Sequence, residues 1–375
     1  MLNRQRVAQK LNVIHKKIFY DTSMQEQTAK ESWQRIVEKK ITSEIFKKYS
    51  CPWSIPEWKQ LFNTSYFIEP FTDPYTLVAT DGSQIYPDRH EGLSCFLINI
   101  GVAQTTYGQH CSVRFSSEPT VFSGIYGDES LASDTIQDLI NCLRQELEFQ
   151  EAVQSAINVT LKNNHSVLVL CDGSLIFWHL VSKGKALQEK FIHAYLLQLE
   201  SLYEKKILNA GYISLPKSKE LVHMLRFEIA QFSAARALQE KKLTHIFDTV
   251  VAQFYLEKYH RTQIFKSTVA IAQKYPDHLK PYFFYLDVGV EVVRIEIPAW
   301  IAKEKKLVDQ VAAIALDQSI KGNGYPVMLA EAHEQAVVKA VDRNFFYNLL
   351  SKIGIEKKKI RQLSQKNMKK NNMSI

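Results

Sequence analysis

Apolar positions along the chain change their period several times. Residues 1–50 are mostly polar, with apolar anchors such as Val37, Ile41, Ile45 and Phe46 at helical spacing. Pro52, Pro56, Pro70 and Pro74 then interrupt regular structure. A short apolar run follows in "LVATDGSQIYP" from Leu77, and "LSCFLINIGVA" and "CSVRFSSEPTVF" read as two more strands. A long helical pattern extends from about Ser133 to Leu161, and a second short apolar run fills Val167–Cys171. Helices are expected near 186–208 and 218–240, with "AGYISLP" as a short strand between them. "PYFFYLDVGVEVVRIEIPAW" reads as a late hairpin, and helices near 303–320 and 326–351 follow. There is no internal repeat beyond the two short apolar runs that end in Asp-Gly-Ser.

From the first Asp-Gly-Ser run onward the order is strand, strand, strand, helix, strand, helix, which predicts an α/β fold. An acid closes the first and the fourth of these strands: Asp81 of Asp81-Gly82-Ser83 and Asp172 of Asp172-Gly173-Ser174. If the two strands lie side by side, their carboxyl ends bring Asp81 and Asp172 together. A sharp turn after each acid accounts for the glycines, and each serine hydroxyl can satisfy a free backbone group there. A single Asp-Gly-Ser is an ordinary turn signal, but two copies at the ends of buried strands point to chemistry.

Adjacent carboxylates repel unless a cation sits between them. Oxygen ligands suit hard cations such as Mg²⁺ and Mn²⁺. The 133–161 helix offers a third acid in Glu146, Glu148 or Glu151. Ile136, Leu139, Ile140, Leu143, Leu147, Val153 and Ile157 cover one broad face of that helix. Glu146 falls inside the face, Glu151 at its edge and Glu148 nearly opposite. A charge inside an apolar face needs a partner or a metal, so periodicity favours Glu146. A slight rotation that pairs Glu146 with a lysine or arginine is the competing reading.

Near the end of the chain, Pro326 suits a helix start after Gly322 and Gly324. His333 then lies about two turns in, beside Ala330, Ala336 and Val337. An imidazole there binds a metal, carries a proton near neutral pH, or hydrogen-bonds within a core.

Composition narrows the classes. The chain has 375 residues, 46% of them apolar, enough for one large domain or two ordinary ones. It has no apolar stretch long enough to span a membrane. The basic N-terminal segment lacks the apolar core and cleavage site of a signal peptide. Five scattered cysteines, with no CxxC pair, are expected to be reduced thiols in a cytoplasmic protein. The net charge of +8 favours anionic partners such as nucleic acid. Much of the excess sits in "EKKKIRQLSQKNMKKNNMSI", expected to be a disordered tail that either solubilises the chain or scans phosphates. A GxSxG elbow is missing at Ser83 and Ser174, which argues against a serine hydrolase.

The stretches "VATDGS", "LRQELEFQEA", "LVLCDGSL", "AGYISLPKS", "VVRIEIPAW" and "GYPVMLAEAHEQAVV", in that order from about residue 77 to 342, resemble the NurA nucleases. The resemblance implies a ribonuclease-H-like mixed sheet flanked by helices. The expected layout is a helical N-terminal extension over 1–60, a nuclease domain over 61–352 and a basic tail over 353–375. Further implications are metal-dependent 5′→3′ exonuclease and single-strand endonuclease activity, a homodimer, and work on single- and double-stranded DNA ends. A hexameric HerA-type ATPase in break repair is the implied partner. No Walker GxxxxGK[ST] loop is present in this chain, so ATP-driven motion would come from that partner. Asp81 and Asp172 match the family's metal ligands, and Tyr325 and His333 match its C-terminal motif. The resemblance leans to Glu148 as the helix acid, against the periodicity. Lys217 stands near the family's basic residue, and Lys219 and Arg226 are further candidates for a DNA groove. The implied cofactor is Mn²⁺ or Mg²⁺, as two ions that activate a water and stabilise the leaving oxygen. An RNA-directed nuclease on the same fold and a non-catalytic DNA-binding module are the alternatives.

Overall fold

The computed structural model describes residues 2–87, 95–123, 136–161 and 165–356. The expected element starts at 93–94 and 133–135, and the tail from 357 onward, lie outside the described residues. Three helices open the chain: α1 (Arg4–Ile18), α2 (Ser23–Glu38) and α3 (Ser43–Lys47), followed by β1 (Ser65–Phe67). Next come β2 (Tyr75–Ile85), β3 (Cys95–Tyr107), β4 (Ser112–Ser123), α4 (Ile136–Thr160), β5 (Ser166–Asp172), α5 (Lys185–Glu204) and β6 (Leu208–Ile213). Then follow α6 (Glu220–Ile229), α7 (Ala234–Gln239), α8 (Asp248–Gln253), β7 (His260–Thr262), β8 (Phe265–Lys266), β9 (Pro281–Asp287) and β10 (Val292–Pro298). The described chain closes with α9 (Ala299–Ala302), α10 (Lys305–Lys321), α11 (Val327–Ala336) and α12 (Ala340–Glu356).

The strands form a ten-stranded mixed sheet in the order β1-β7-β9-β10-β6-β5-β2-β3-β4, with β8 paired to β9. Two compact units divide the chain. One takes residues 1–68, 213–274 and 280–295. The other takes 69–212, 275–279 and 296–375. The expected division at residue 60 is a sequence division; in space, residues 1–68 share a core with later segments. Ser32 of α2 donates to Glu228 at 2.7 Å and Arg35 pairs with the same carboxylate at 2.8 Å. Trp58, Phe62, Phe227, Phe265 and Phe283 are buried in that unit. Asp248, fully buried, accepts from Val222 N and the Tyr285 hydroxyl at 2.9 Å each.

The second unit carries the expected ribonuclease-H-like order. β2 runs antiparallel to β3 and parallel to β5, and β5 runs parallel to β6. Tyr75–Thr80 are all buried, as expected of a strand covered on both faces. Helix α4 packs on β2 and β3, and α11 packs on the same two strands. Alternation along the strands shows how both helices fit. Gly82 and its register partner Ile100 face α4, while Asp81 and its partner Gly101 face α11.

Two expected helices are each broken in two. The 218–240 pattern stops at Ile229 because Gln231 and Phe232 adopt left-handed backbone angles, φ 54° and 57°. The 326–351 pattern breaks between Ala336 and Ala340. The last helix continues to Glu356, so residues 353–356 of the expected tail are helical.

Candidate active site

The parallel register of β2 and β5 pairs Thr80 with Cys171, which sets Asp81 and Asp172 at neighbouring strand positions. The two Asp-Gly-Ser segments nevertheless differ. Gly173 does turn, at φ +112°, and Ser174 Oγ accepts from Ile176 N at 2.9 Å as the turn chemistry requires. Gly82 does not turn, because β2 continues to Ile85. Its missing side chain makes room instead: a Cβ at Gly82 would lie 2.5 Å from Glu148 Oε1 and 2.9 Å from Glu148 Cγ. Ser83 also serves tertiary packing, donating to Ala336 O at 2.5 Å at the end of α11.

Glu148 is therefore the helix acid at this site. Thr80 Oγ1 donates to the Glu148 carbonyl at 2.9 Å, pinning that turn of α4 to β2. Glu146 is not brought here. It is half-buried, burial raises its pKa, and Lys190 of α5 partly offsets that rise. Periodicity misplaced the face because it weighed Leu143, Leu147 and Ile157, which are only partly buried. The buried face also includes Cys142, Phe149, Ala152, Ala156 and Val159. Small residues mark where a helix lies close to a sheet, and Glu148 stands one turn before Ala152 on that side. Glu151 hydrogen-bonds Ser155 at 3.2 Å.

The acids are held by specific neighbours. His333 Nδ1 lies 2.7 Å from Asp81 Oδ2. The imidazole is exposed, not set in an apolar face as the sequence suggested; the buried side of α11 is Met328, Leu329, Ala332 and Ala336. This contact depends on Gly101, where a Cβ would fall 2.4 Å from Ala332 O and from Ala336 N. Asn99 Nδ2 secures the same helix end by donating to Ala336 O at 2.9 Å. Tyr325 donates its hydroxyl to Asp172 and packs edge-on against Tyr212 at 5.8 Å. On the loop after Asp172, the buried Glu296 carboxylate accepts from Ser174 Oγ at 2.6 Å and Leu175 N at 2.9 Å. Glu296 was not anticipated; a carboxylate in the otherwise apolar strand "VVRIEIPAW", which also carries Arg294, was its only signal.

Electrostatics follow from this crowding. Burial first, then Asp81 and Asp172, push the Glu148 carboxyl up to about 7, against the opposing pull of Arg144. From a starting value of 4.5, that shift disfavours the ionised form by about 3 kcal/mol. The Asp172 residue is exposed by surface area, yet protein packed around its carboxyl desolvates it and raises its pKa, and Asp81 adds to the rise. Burial and Asp172 raise Tyr325, so it stays a protonated donor. Arg144, another residue the sequence did not single out, ion-pairs with Glu148 and donates to Gly82 O at 3.0 Å. It lies one helical turn before Glu148, the spacing that could have flagged it.

The donor set suits a hard divalent cation: three carboxylates whose mutual repulsion a cation would relieve. In this conformation Arg144 engages Glu148 and His333 engages Asp81. Among the described residues, no three acid, imidazole or thiol groups form a closed ligand shell.

Lys217, Lys219 and Arg226 belong to the other unit. Lys219 Nζ donates to Thr244 O at 2.6 Å, and the Arg226 guanidinium lies 4.1 Å from the centre of the Trp53 ring and donates to Glu240 O at 2.5 Å. These two cations therefore serve local packing. Lys217 is exposed. All five cysteines are free thiols. No described helix is long and apolar enough to cross a membrane.

The profile of the NurA domain family matches residues 75–338. Among solved structures, the chain is similar to the NurA nuclease from Sulfolobus solfataricus, with 14% identity and a TM-score of 0.54. That match covers 97% of this chain and all of the other. A second NurA crystal structure matches at 11% identity over 93% of this chain and 98% of that one, TM-score 0.41. A third, NurA bound to dAMP and manganese, matches at 11% identity over 90% and 94%, TM-score 0.34. No curated protein matches the chain.

Proposed function

Because the chain belongs to the NurA domain family, whose profile spans residues 75–338, we propose that it is a metal-dependent deoxyribonuclease with Asp81, Glu148 and Asp172 as its metal-binding acids. The observation that carries this reading is their convergence. Asp81 within β2 and Asp172 at the end of β5 stand at neighbouring positions of adjacent parallel strands, and the third acid is admitted by the bare backbone of Gly82. A divalent ion held there would lower the pKa of a water and neutralise charge on the phosphate. The protein's own groups hold the acids ready. His333 fixes the Asp81 carboxylate and can take up a proton at its other ring nitrogen. Tyr325 fixes Asp172, and Arg144 balances Glu148 until a cation does so.

Family membership also supports the finer reading: a 5′→3′ exonuclease and single-strand endonuclease, a homodimer, acting at DNA ends with a HerA-type ATPase in the cytoplasm. Manganese is the preferred ion of this proposal and magnesium its substitute. The test uses end-labelled single-stranded DNA, double-stranded DNA and RNA, each with Mn²⁺, with Mg²⁺ or with EDTA. The expected result is Mn²⁺-supported DNA cleavage that Asp81→Asn and Asp172→Asn abolish while DNA binding persists. Cleavage of RNA alone would favour the RNA-directed reading. DNA binding with no cleavage under any metal would favour a binding module.

A further inference from the structure

Helix α1 is specified by its own sequence. Asn3 caps it, its side-chain oxygen accepting from Arg6 N at 3.0 Å. Arginine, glutamine, alanine, leucine and lysine, all good helix formers, fill most of its 15 positions. The chain just after it is anchored, because the Tyr20 ring stacks on His245 at 4.0 Å. Yet no described residue of α1 is buried. A helix of this length is marginal in water without packing.

The exposed surface of α1 is patterned. Val7, Leu11, Ile14 and Ile18 follow one another at intervals of four, three and four. They are 38%, 49%, 41% and 46% exposed. At 100° per residue the four fall within a stripe about 60° wide. That is the seam of a coiled coil, narrower than the face a helix turns to its own core. Binding to a bilayer scales with buried apolar area, which so narrow a stripe limits. Leu11 and Ile18 take the a positions, Val7 and Ile14 the d positions, and Lys10 and Lys17 the g positions.

Charge selects the partner. Residues 1–20 carry five cations, Arg4, Arg6, Lys10, Lys16 and Lys17, and no acid. Arg4 and Arg6 lie at the start of α1, where the helix dipole favours acids. Arg6 and Lys10, four apart, repel each other. A second copy of α1 would bring the same cations and no acid, so two α1 helices do not pair. We propose that α1 is one strand of a heterotypic coiled coil, and that its partner is an amphipathic helix of another protein with glutamates flanking an apolar seam. Such a helix would cover the four apolar side chains and balance the charge together. The inference is independent of the nuclease reading.

The probe is a fluorescein-labelled synthetic peptide of three heptads, with Ile at a, Leu at d and Glu at e and g. One control peptide has Lys in place of Glu, and another has Ala at a and d. Binding to the full chain is followed by anisotropy at low salt, without DNA. The expected result is affinity for the acidic peptide about tenfold or more above that for either control, weakening as salt rises. Leu11→Ala combined with Ile14→Ala should reduce binding to the level of the alanine control. Lys10→Glu should cost about two- to fivefold, the effect of reversing one charge pair. Neither variant should shift the melting temperature, because these side chains are exposed; that separates lost docking from lost folding. Equal affinity for the acidic and lysine peptides would overturn the inference. So would failure to bind the acidic peptide, whether the chain instead binds phosphatidylglycerol vesicles through Leu11 and Ile14, which would make α1 a lipid-surface helix, or loses single-stranded DNA affinity in the double variant, which would make it part of a nucleic-acid surface.

Discussion

Gly82→Ala is expected to separate catalysis from folding in this protein. The added methyl carbon would lie 2.5 Å from Glu148 Oε1, 2.9 Å from its Cγ and 3.0 Å from Arg144 Cγ. Restoring an ordinary contact of 3.4 Å requires Oε1 to move by about 0.9 Å. The atoms that must yield belong to flexible side chains, and the backbone at Gly82 is not left-handed, so the fold has a route of escape. Overpacking by one methyl costs about 1–3 kcal/mol. Replacing a strand glycine recovers roughly 0.5–1 kcal/mol. The net loss of stability should thus be about 0–2.5 kcal/mol. Activity has no such escape, since displacing a positioned group by about 1 Å can cost on the order of a hundredfold in rate. The assay pairs Mn²⁺-dependent cleavage of end-labelled DNA with a urea melt of the same preparation. A hundredfold fall in kcat with a near-native melt is expected. Wild-type turnover in Gly82→Ala would refute the assignment of Glu148 to the reacting site, because the carboxylate cannot keep its position with that carbon present.

The remaining predictions concern the same acids and the tail. Glu148→Gln should abolish cleavage while Glu146→Gln retains most of it, since residues two apart on a helix point in different directions; the reverse order in a single-turnover assay would restore the assignment from periodicity. Glu148 also makes stability depend on pH. Its folded pKa of about 7 lies above the unfolded 4.5, so the native state holds the extra proton between those values and loses stability as pH rises through that window. In EDTA, Glu148→Gln should therefore be more stable than wild type by up to about 3 kcal/mol at pH 8, with no advantage at pH 4.5; equal denaturation midpoints at pH 8 would contradict the shift. Removing residues 357–375 should flatten the salt dependence of single-strand binding by about 0.7 in logarithmic slope for each phosphate that the tail neutralises, while cleavage at saturating DNA stays unchanged. An unaltered slope would show that the tail's cations neutralise no phosphates.

The chain's local patterns determined the order of its elements from β2 to α5 and the placement of Asp81 and Asp172 on adjacent strands, although Asp81 lies inside β2 and not at its end. Alternation, helical period and turn residues act over a few neighbours, so they can be read without the fold. The resemblance to the NurA nucleases identified Tyr325 and His333, which the structure places on Asp172 and Asp81. Periodicity favours Glu146 and the resemblance Glu148; the structure brings Glu148 to the two aspartates, because that depends on how closely α4 approaches the sheet, and Ala152 and Ala156 set that approach as much as any leucine does. The two Asp-Gly-Ser triplets look alike in sequence, yet one glycine turns the chain and the other clears space for a carboxylate from a helix more than sixty positions away. Gly101 gave no signal in the sequence, and Arg144 and Glu296 gave only weak ones, for the same reason. Their roles exist only against partners that are distant in sequence or hidden within a helix turn. What an empty position or a buried charge is for is decided by what the fold brings to face it.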